Sequence, residues 1–208
     1  DGNLYGGGIC YNNGYPITLG AYDGTFNGTP GPSIADVTIS KFNAAGSNLI
    51  YSTYLGGAGT ETVHSLIVNK DNELYLYGAT SSADFPTTPG AYDPTFNGGS
   101  TLSFNFNGTT FNGGTDIYVT KFNSTGFALL GSTYMGGSGN DGVNYNIWSG
   151  NYNNVGAYDS LTSNYGDQFR GEVMLDTLGN CYIATSTRSA DFPILNGFQP
   201  VFQGVQDA

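Results

Sequence analysis

The sequence predicts an all-β chain built from repeated units, and three observations carry that prediction. Asp36-Val37-Thr38-Ile39-Ser40-Lys41-Phe42-Asn43 returns as Asp116-Ile117-Tyr118-Val119-Thr120-Lys121-Phe122-Asn123, 116 − 36 = 80 residues on, and the match runs without a gap to Gly56-Gly57 against Gly136-Gly137. A second offset, 71 − 1 = 70, aligns Asp1, Leu4 and Tyr5 with Asp71, Leu74 and Tyr75, then Gly20-Ala21-Tyr22-Asp23 with Gly90-Ala91-Tyr92-Asp93. The apolar runs are short, rich in Tyr and Phe, and punctuated by glycine; aromatic residues of this kind favour strands. A period this long in such a chain indicates a toroid or solenoid of β-units.

Each unit reads as four strands. The first is Val37–Phe42, with Ile117–Phe122 as its twin, and the second is Leu49–Leu55, with Leu129–Met135. The third is Val63–Asn69, matched by Arg170–Asp176. The fourth is Leu74–Ala79, matched by Leu4–Ile9 and Cys181–Ser186. Turn signals separate them at Ala45-Gly46, Gly56-Gly57 and Asp71-Asn72, so the expected connection is a meander of antiparallel hairpins. Apolar residues stand at both parities, Val37 and Ile39 on one face and Phe42 on the other. Such strands belong to a sheet covered on both faces.

The resulting organisation has residues 1–35 as the end of a preceding unit and 36–115 as a unit with a loop insertion at 99–114. Residues 116–206 form a second unit with an aromatic insertion at 143–168, and 207–208 open another. The second insertion follows from arithmetic: the fourth-strand offset is 182 − 75 = 107 against 80 at the first strand, so 107 − 80 = 27 extra residues lie between Gly137 and Arg170. The chain reads as a piece of a longer polypeptide.

Composition excludes some function classes. The formal charge is −11, with only five Lys and Arg, so phosphate backbones and anionic membrane surfaces are repelled. No apolar stretch approaches the roughly 18 residues of a membrane-spanning helix. Only 10% of residues are charged, which separates the chain from solvated disordered sequences. Little Lys beside much Asn, Thr, Ser and Tyr suggests an extracellular surface. Cys10 and Cys181 stand at non-equivalent places of separated repeats and read as two buried thiols.

The long loops carry a further signature. Ala83-Asp84-Phe85-Pro86 returns as Ala190-Asp191-Phe192-Pro193, with Tyr15-Pro16 the first copy, and each is followed by an aromatic pair: Tyr92 and Phe96, Tyr22 and Phe26, Phe198 and Phe202. These rings are expected to plug the gaps between units.

An Asp-led strand ending Lys-Phe-Asn, then Tyr-Ser-Thr-Tyr-Leu-Gly-Gly, then Ser-x-Asp-Phe-Pro-Thr-Thr-Pro-Gly-Ala-Tyr resembles the SBBP family, the bacterial seven-bladed β-propeller repeat. Asp36–Gly57 and Ser82–Gly98 match closely, Asp116–Gly137 and Leu178–Pro193 well, and Asp1–Gly28 in part. The resemblance implies a β-propeller fragment of four-stranded antiparallel blades, two full and flanked by partial ones. It also implies a secreted or cell-surface bacterial protein of Bacteroidetes type, with links to type IX secretion and gliding motility. It supplies no catalytic residues, and it does not extend to the 143–168 insertion. Propellers close with about four to eight blades, so 208 residues of this kind do not close a ring by themselves.

Residues that recur once per repeat read as structural. Asp84 and Asp191 are therefore expected to cap turns, and Asp36, Asp116 and Asp207 to open first strands. His64, the single His, has no partner for a multi-His metal site and reads as an ordinary strand or rim residue. Nothing in the spacing of Glu61, Glu73, Glu172 and the Asp residues selects the facing carboxylates that glycoside hydrolysis needs about 5 to 10 Å apart. The loop Gly137-Ser138-Gly139-Asn140-Asp141-Gly142 offers hard oxygen ligands on a flexible backbone, with Asn140 and Asp141 as candidate calcium ligands and a solvated turn as the plainer reading. In the aromatic insertion, Tyr145, Trp148, Tyr152 and Tyr158 are candidate ligand-binding residues, able to stack on sugars or anchor a protein partner; the plainer reading is a local mini-core. Ser160 and Thr177, each after Asp and before Leu, fit a short O-glycosylation pattern.

The function expected is non-catalytic: a scaffold or adhesin presenting loops to glycans or surface proteins, without a cofactor apart from calcium in the 137–142 loop. Two alternatives stay open: a propeller lyase or hydrolase whose site lies in blades outside this chain, and a purely structural spacer or filament component.

Overall fold

The computed structural model describes residues 1–104, 108–147, 155–156 and 167–208. In chain order the strands are β1 (Leu4–Cys10), β2 (Asp36–Phe42), β3 (Leu49–Leu55), β4 (Glu61–Val68), β5 (Leu74–Thr80), β6 (Leu102–Ser103) and β7 (Thr110–Phe111). β8 (Asp116–Phe122), β9 (Leu129–Met135), β10 (Asn146–Ile147), β11 (Val155–Gly156), β12 (Glu172–Leu175) and β13 (Cys181–Ala184) follow. Among the described residues there is no α-helix, and every strand pairing is antiparallel. The chain is all-β, as expected.

Three sheets carry the architecture: β1-β2-β3, the four-stranded β4-β5-β8-β9, and β12-β13. Their boundaries do not follow the sequence unit. The four runs expected to meander through 36–79 are divided between two sheets, because β3 and β4 do not pair whereas β5 pairs with β8 across the long 81–115 loop. The cause lies in the Gly56-Gly57 segment, where the sequence suggests a hairpin. Its backbone N–H groups go to side chains, from Gly57 to Glu61 and from Ala58 to Asp84, so the chain steps out of one sheet and into the next.

The repeats agree in detail. β2 and β8 each carry a register shift at the Lys-Phe step, so that Phe42 faces Leu49 and Phe122 faces Leu129. Lys41 and Lys121 stand opposite Tyr5 and Tyr75 in the neighbouring strands, with their ammonium groups over those rings at 4.9 and 5.1 Å and beside Asp1 and Glu73 at 2.8 and 2.6 Å. The connecting loop of each sheet then wraps its edge strand. Ser52 donates to the Pro16 carbonyl and Ser132 to the Pro86 carbonyl, both at 2.6 Å, while the Tyr54 and Tyr134 amides donate to the carbonyls of Asp23 and Asp93, both at 3.0 Å. An edge strand covered this way offers no free ladder to another chain.

The sheets pack face to face. One core cluster joins Val37, Ile39 and Leu55 of the first sheet to Leu74, Leu76 and Phe122 of the second. Another joins Tyr77 and Ile117 of the second to Val173 of the third, with Ile183 and Phe192 against it. The four-stranded sheet is thus apolar on both faces, which is why its strands lack simple alternation. Gly7 in β1 lets the first two sheets approach closely: a Cβ there would fall 2.9 Å from a methyl carbon of Leu66 in β4. Cys10 and Cys181 are free thiols.

Candidate functional site

Two groups of side chains merit the name of candidate site, one repeated and one not. The repeated group is built around buried carboxyls. Glu61, fully buried at the start of β4, accepts from the Gly57 amide at 2.9 Å, from Thr80 Oγ1 at 2.6 Å and from Ser82 Oγ at 2.5 Å. In the next copy Asp141 accepts from the Gly137 amide at 2.8 Å, from Thr187 Oγ1 at 2.5 Å and from Ser189 Oγ at 2.7 Å. Asp84 and Asp191 complete the two copies by accepting from the amides of Ala58 and Ser138, at 2.9 and 2.8 Å. They cap turns, although each caps the glycine segment of another strand pair.

Beside each group lies a second buried carboxyl. Asp36 Oδ2 accepts from the Asn27 amide at 2.8 Å, and Asp116 Oδ2 from the Asn97 amide at 2.6 Å. Asp207 opens a third copy, accepting from the Gln203 amide at 2.7 Å. Burial disfavours the charged form of Asp36, Glu61, Asp116 and Asp141. It pushes Asp36, Glu61 and Asp116 up to about 7, and raises Asp141 as well. A Cβ on Gly56 would meet both Glu61 and Asp36, and one on Gly136 both Asp116 and Asp141. Glycine is therefore required between each carboxyl pair. Asp36, Glu61, Asp116 and Asp141 have no solvent exposure, so as placed they cannot exchange protons with a substrate.

The calcium candidates belong to this group. Asn140 Oδ1 accepts from the Thr115 amide at 3.0 Å, and its Nδ2 donates to the Ser100 carbonyl and the Tyr145 hydroxyl, at 3.1 and 2.9 Å. The Asp141 oxygens receive N–H and O–H donors, whose hydrogens would oppose a cation. This arrangement does not fit calcium. Among the described residues, no group of three or more His, Cys, Asp or Glu is placed to hold a metal ion.

His64 occupies the bulge of β4, between the pairs Val63–Gly78 and Ser65–Tyr77. Its ring nitrogens lie 2.9 Å from Thr62 Oγ1 and 3.3 Å from the Tyr77 hydroxyl, and burial lowers it to about 3. It is a neutral packing residue between Tyr77 and Phe169, at ring distances of 5.2 and 5.5 Å.

The unrepeated group lies where the two insertions meet. β6 and β7 form a short hairpin whose Phe104 and Phe111 stand edge to face at 5.8 Å, and both contact Phe169. Leu102, Val143 and Tyr145 close a satellite core over Ala79 at the end of β5. Arg188, which stands where the other copy has Ser81, lies 3.8 Å from the centre of the Tyr145 ring and donates to the Tyr145 carbonyl. Gln206 accepts from the Tyr145 amide at 3.3 Å and donates to Asn144 at 2.9 Å. The hairpin is tied onward to the first sheet's loop, with the Thr110 amide donating to the Ser33 carbonyl at 2.8 Å.

Of the candidate ligand-binding rings, Tyr145 is 5% exposed and belongs to this satellite core; a ring so covered has no face for a sugar. Trp148, Tyr152 and Tyr158 lie outside the described residues, as does Ser160. Thr177 is exposed at the tip of the β12–β13 turn, which Asp176 holds by accepting from the Leu178 and Asn180 amides at 2.9 and 2.8 Å. Of the loop aromatics, Tyr22 packs on Phe122 at 5.6 Å and Phe96 on Tyr134 at 6.2 Å, whereas Tyr92 and Phe198 are exposed.

Sequence reasoning missed the buried role of Glu61 and the Tyr145–Arg188 contact. The first had a signal: an acidic residue follows Gly-Gly four positions on in both copies, Gly57 to Glu61 and Gly137 to Asp141. The second had none, because Arg188 and Tyr145 are 188 − 145 = 43 residues apart with no repeat to relate them. No family model matches the chain, and no curated protein matches it either.

Proposed function

We propose that the chain is a run of β-propeller blades serving as a non-catalytic scaffold, secreted and displayed at a bacterial cell surface, that presents its unrepeated loops to glycans or protein partners. The observation that carries this reading is the division of labour between the two groups above. The repeated carboxyls are buried and hydrogen-bonded into the framework, so the repeats supply rigidity. The described residues of the two insertions meet at one end of the four-stranded sheet, in a core that holds Phe104, Phe111, Val143 and Phe169. Function grafted onto loops of a rigid scaffold is the usual arrangement in repeat proteins. The resemblance to SBBP repeats, the face-to-face sheets and the acidic, Lys-poor composition support the same reading.

The test replaces residues 148–166 with a short Gly-Ser linker, which leaves Val143, Tyr145 and Phe169 in place. Both forms are then applied to a glycan array. The intact chain is expected to bind a set of glycans saturably, and the deletion to abolish that binding. Equal binding by both forms would overturn the assignment to this loop, and binding by neither would favour a spacer.

A further inference from the structure

We infer that the open edge of β13, together with Phe192, Phe202 and Tyr92, is a docking surface for a β-hairpin of this repeat's own kind, supplied from outside residues 1–208. The molecule holds two examples of what covers such a surface. β1 is joined by the β2–β3 hairpin, starting at the Cys10–Asp36 pair, and β5 by the β8–β9 hairpin, starting at Thr80–Asp116. Just past the end of β13 an isolated bridge stands at the equivalent place: the Thr187 amide donates to the Asp207 carbonyl at 2.7 Å and the Asp207 amide donates to the Thr187 carbonyl at 2.9 Å. On the edge away from β12, residues 181–185 have no strand beside them among the described residues.

The side chains agree with the backbone. Phe85 is 3% exposed because Tyr118 and Tyr134 of the β8–β9 hairpin pack on it, at 4.5 and 6.0 Å. Its copy Phe192 is only partly covered and lines, with Phe202 and Pro193, a cleft of about 310 Å³. Tyr22 is covered by Phe122 of the sheet that follows it, whereas its copy Tyr92 is 72% exposed. The occupant's chemistry follows. Its first strand carries Lys-Phe-Asn, the Phe meeting Tyr92. Its second carries Ser-Thr-Tyr, the Ser donating to the Pro193 carbonyl as Ser52 and Ser132 do to Pro16 and Pro86. Strand addition of this type draws affinity from main-chain bonds and specificity from side-chain pockets. The inference rests on sheet packing, so the glycan test can fail without touching it.

The test adds a labelled peptide with the sequence of residues 117–137 to the intact chain and follows binding by anisotropy and amide hydrogen exchange. Saturable one-to-one binding is expected, with slowed exchange at residues 181–187 and none for a scrambled peptide. Tyr92→Ala in the chain, or Phe122→Ala in the peptide, should each weaken binding about tenfold. Tyr92 is exposed, so its loss should leave the fold intact, which unchanged exchange in β5 and β8 would verify. Absent binding, affinity indifferent to both substitutions, or slowed exchange confined to another edge would overturn the inference. Protection of 181–187 that rises with chain concentration, without peptide, would also overturn it by naming a second copy as the occupant.

Discussion

Glu61 is a residue type rarely found without solvent, and its place is made by three donors with nowhere else to go. Glu61→Ala leaves the Gly57 amide and the Thr80 and Ser82 hydroxyls without this acceptor. An orphaned buried group costs about 1 to 3 kcal/mol, so the variant should lose at least about 2 kcal/mol in urea unfolding; a loss below about 0.5 kcal/mol would contradict the assigned role. The same carboxyls make stability depend on pH. Asp36, Glu61 and Asp116 have folded values near 7, above those of the unfolded chain, so the native state binds protons more tightly. Their contribution is full below about pH 4 and is lost as pH rises toward 7. Glu73, Asp176 and Asp191 are shifted down by their hydrogen bonds and act oppositely, losing their contribution at acid pH. Thermal unfolding should therefore occur at a higher temperature at about pH 5 than at pH 8. An equal or higher midpoint at pH 8 would show that these groups are not buried as described.

The strands were largely legible because each is written as a run bounded by glycine or asparagine turns. Leu49–Leu55 and Leu129–Met135 coincide with β3 and β9, and the fourth-strand run from Leu74 ends one residue later, at Thr80. What the pattern did not reveal was pairing. A Gly-Gly turn that closes a hairpin and one that crosses between sheets look alike until the partners of its amides are known. The candidate site was legible to a similar depth: recurrence marked Asp84 and Asp191 as caps, and the insertions stood out by breaking the period. That Tyr145 faces inward depends on Arg188 and Phe169, which no local pattern links to it. The satellite core yields its own prediction. Phe111→Ala, a change that typically costs about 3 to 5 kcal/mol at a buried site, should speed amide exchange at Thr110 and Asn144 while leaving residues 117–122 protected. Uniform acceleration across both regions would show that the satellite and main cores unfold as one.

Taken whole, the molecule is a succession of antiparallel sheets, each covering an apolar face of the next, with the chain changing sheet at Gly56-Gly57 and again at Gly136-Gly137. Two apolar interfaces hold it together, one on each side of β4-β5-β8-β9. The β1-β2-β3 and β4-β5-β8-β9 sheets each draw their strands from two successive sequence units, so neither sheet is built by one unit alone. Cross-strand backbone NOEs in an isotope-labelled sample test this arrangement most directly. Contacts between 74–80 and 116–122, in the register that sets Gly78 opposite Tyr118, with none between 49–55 and 61–68, are the predicted result. Contacts between 49–55 and 61–68, without those between 74–80 and 116–122, would contradict it.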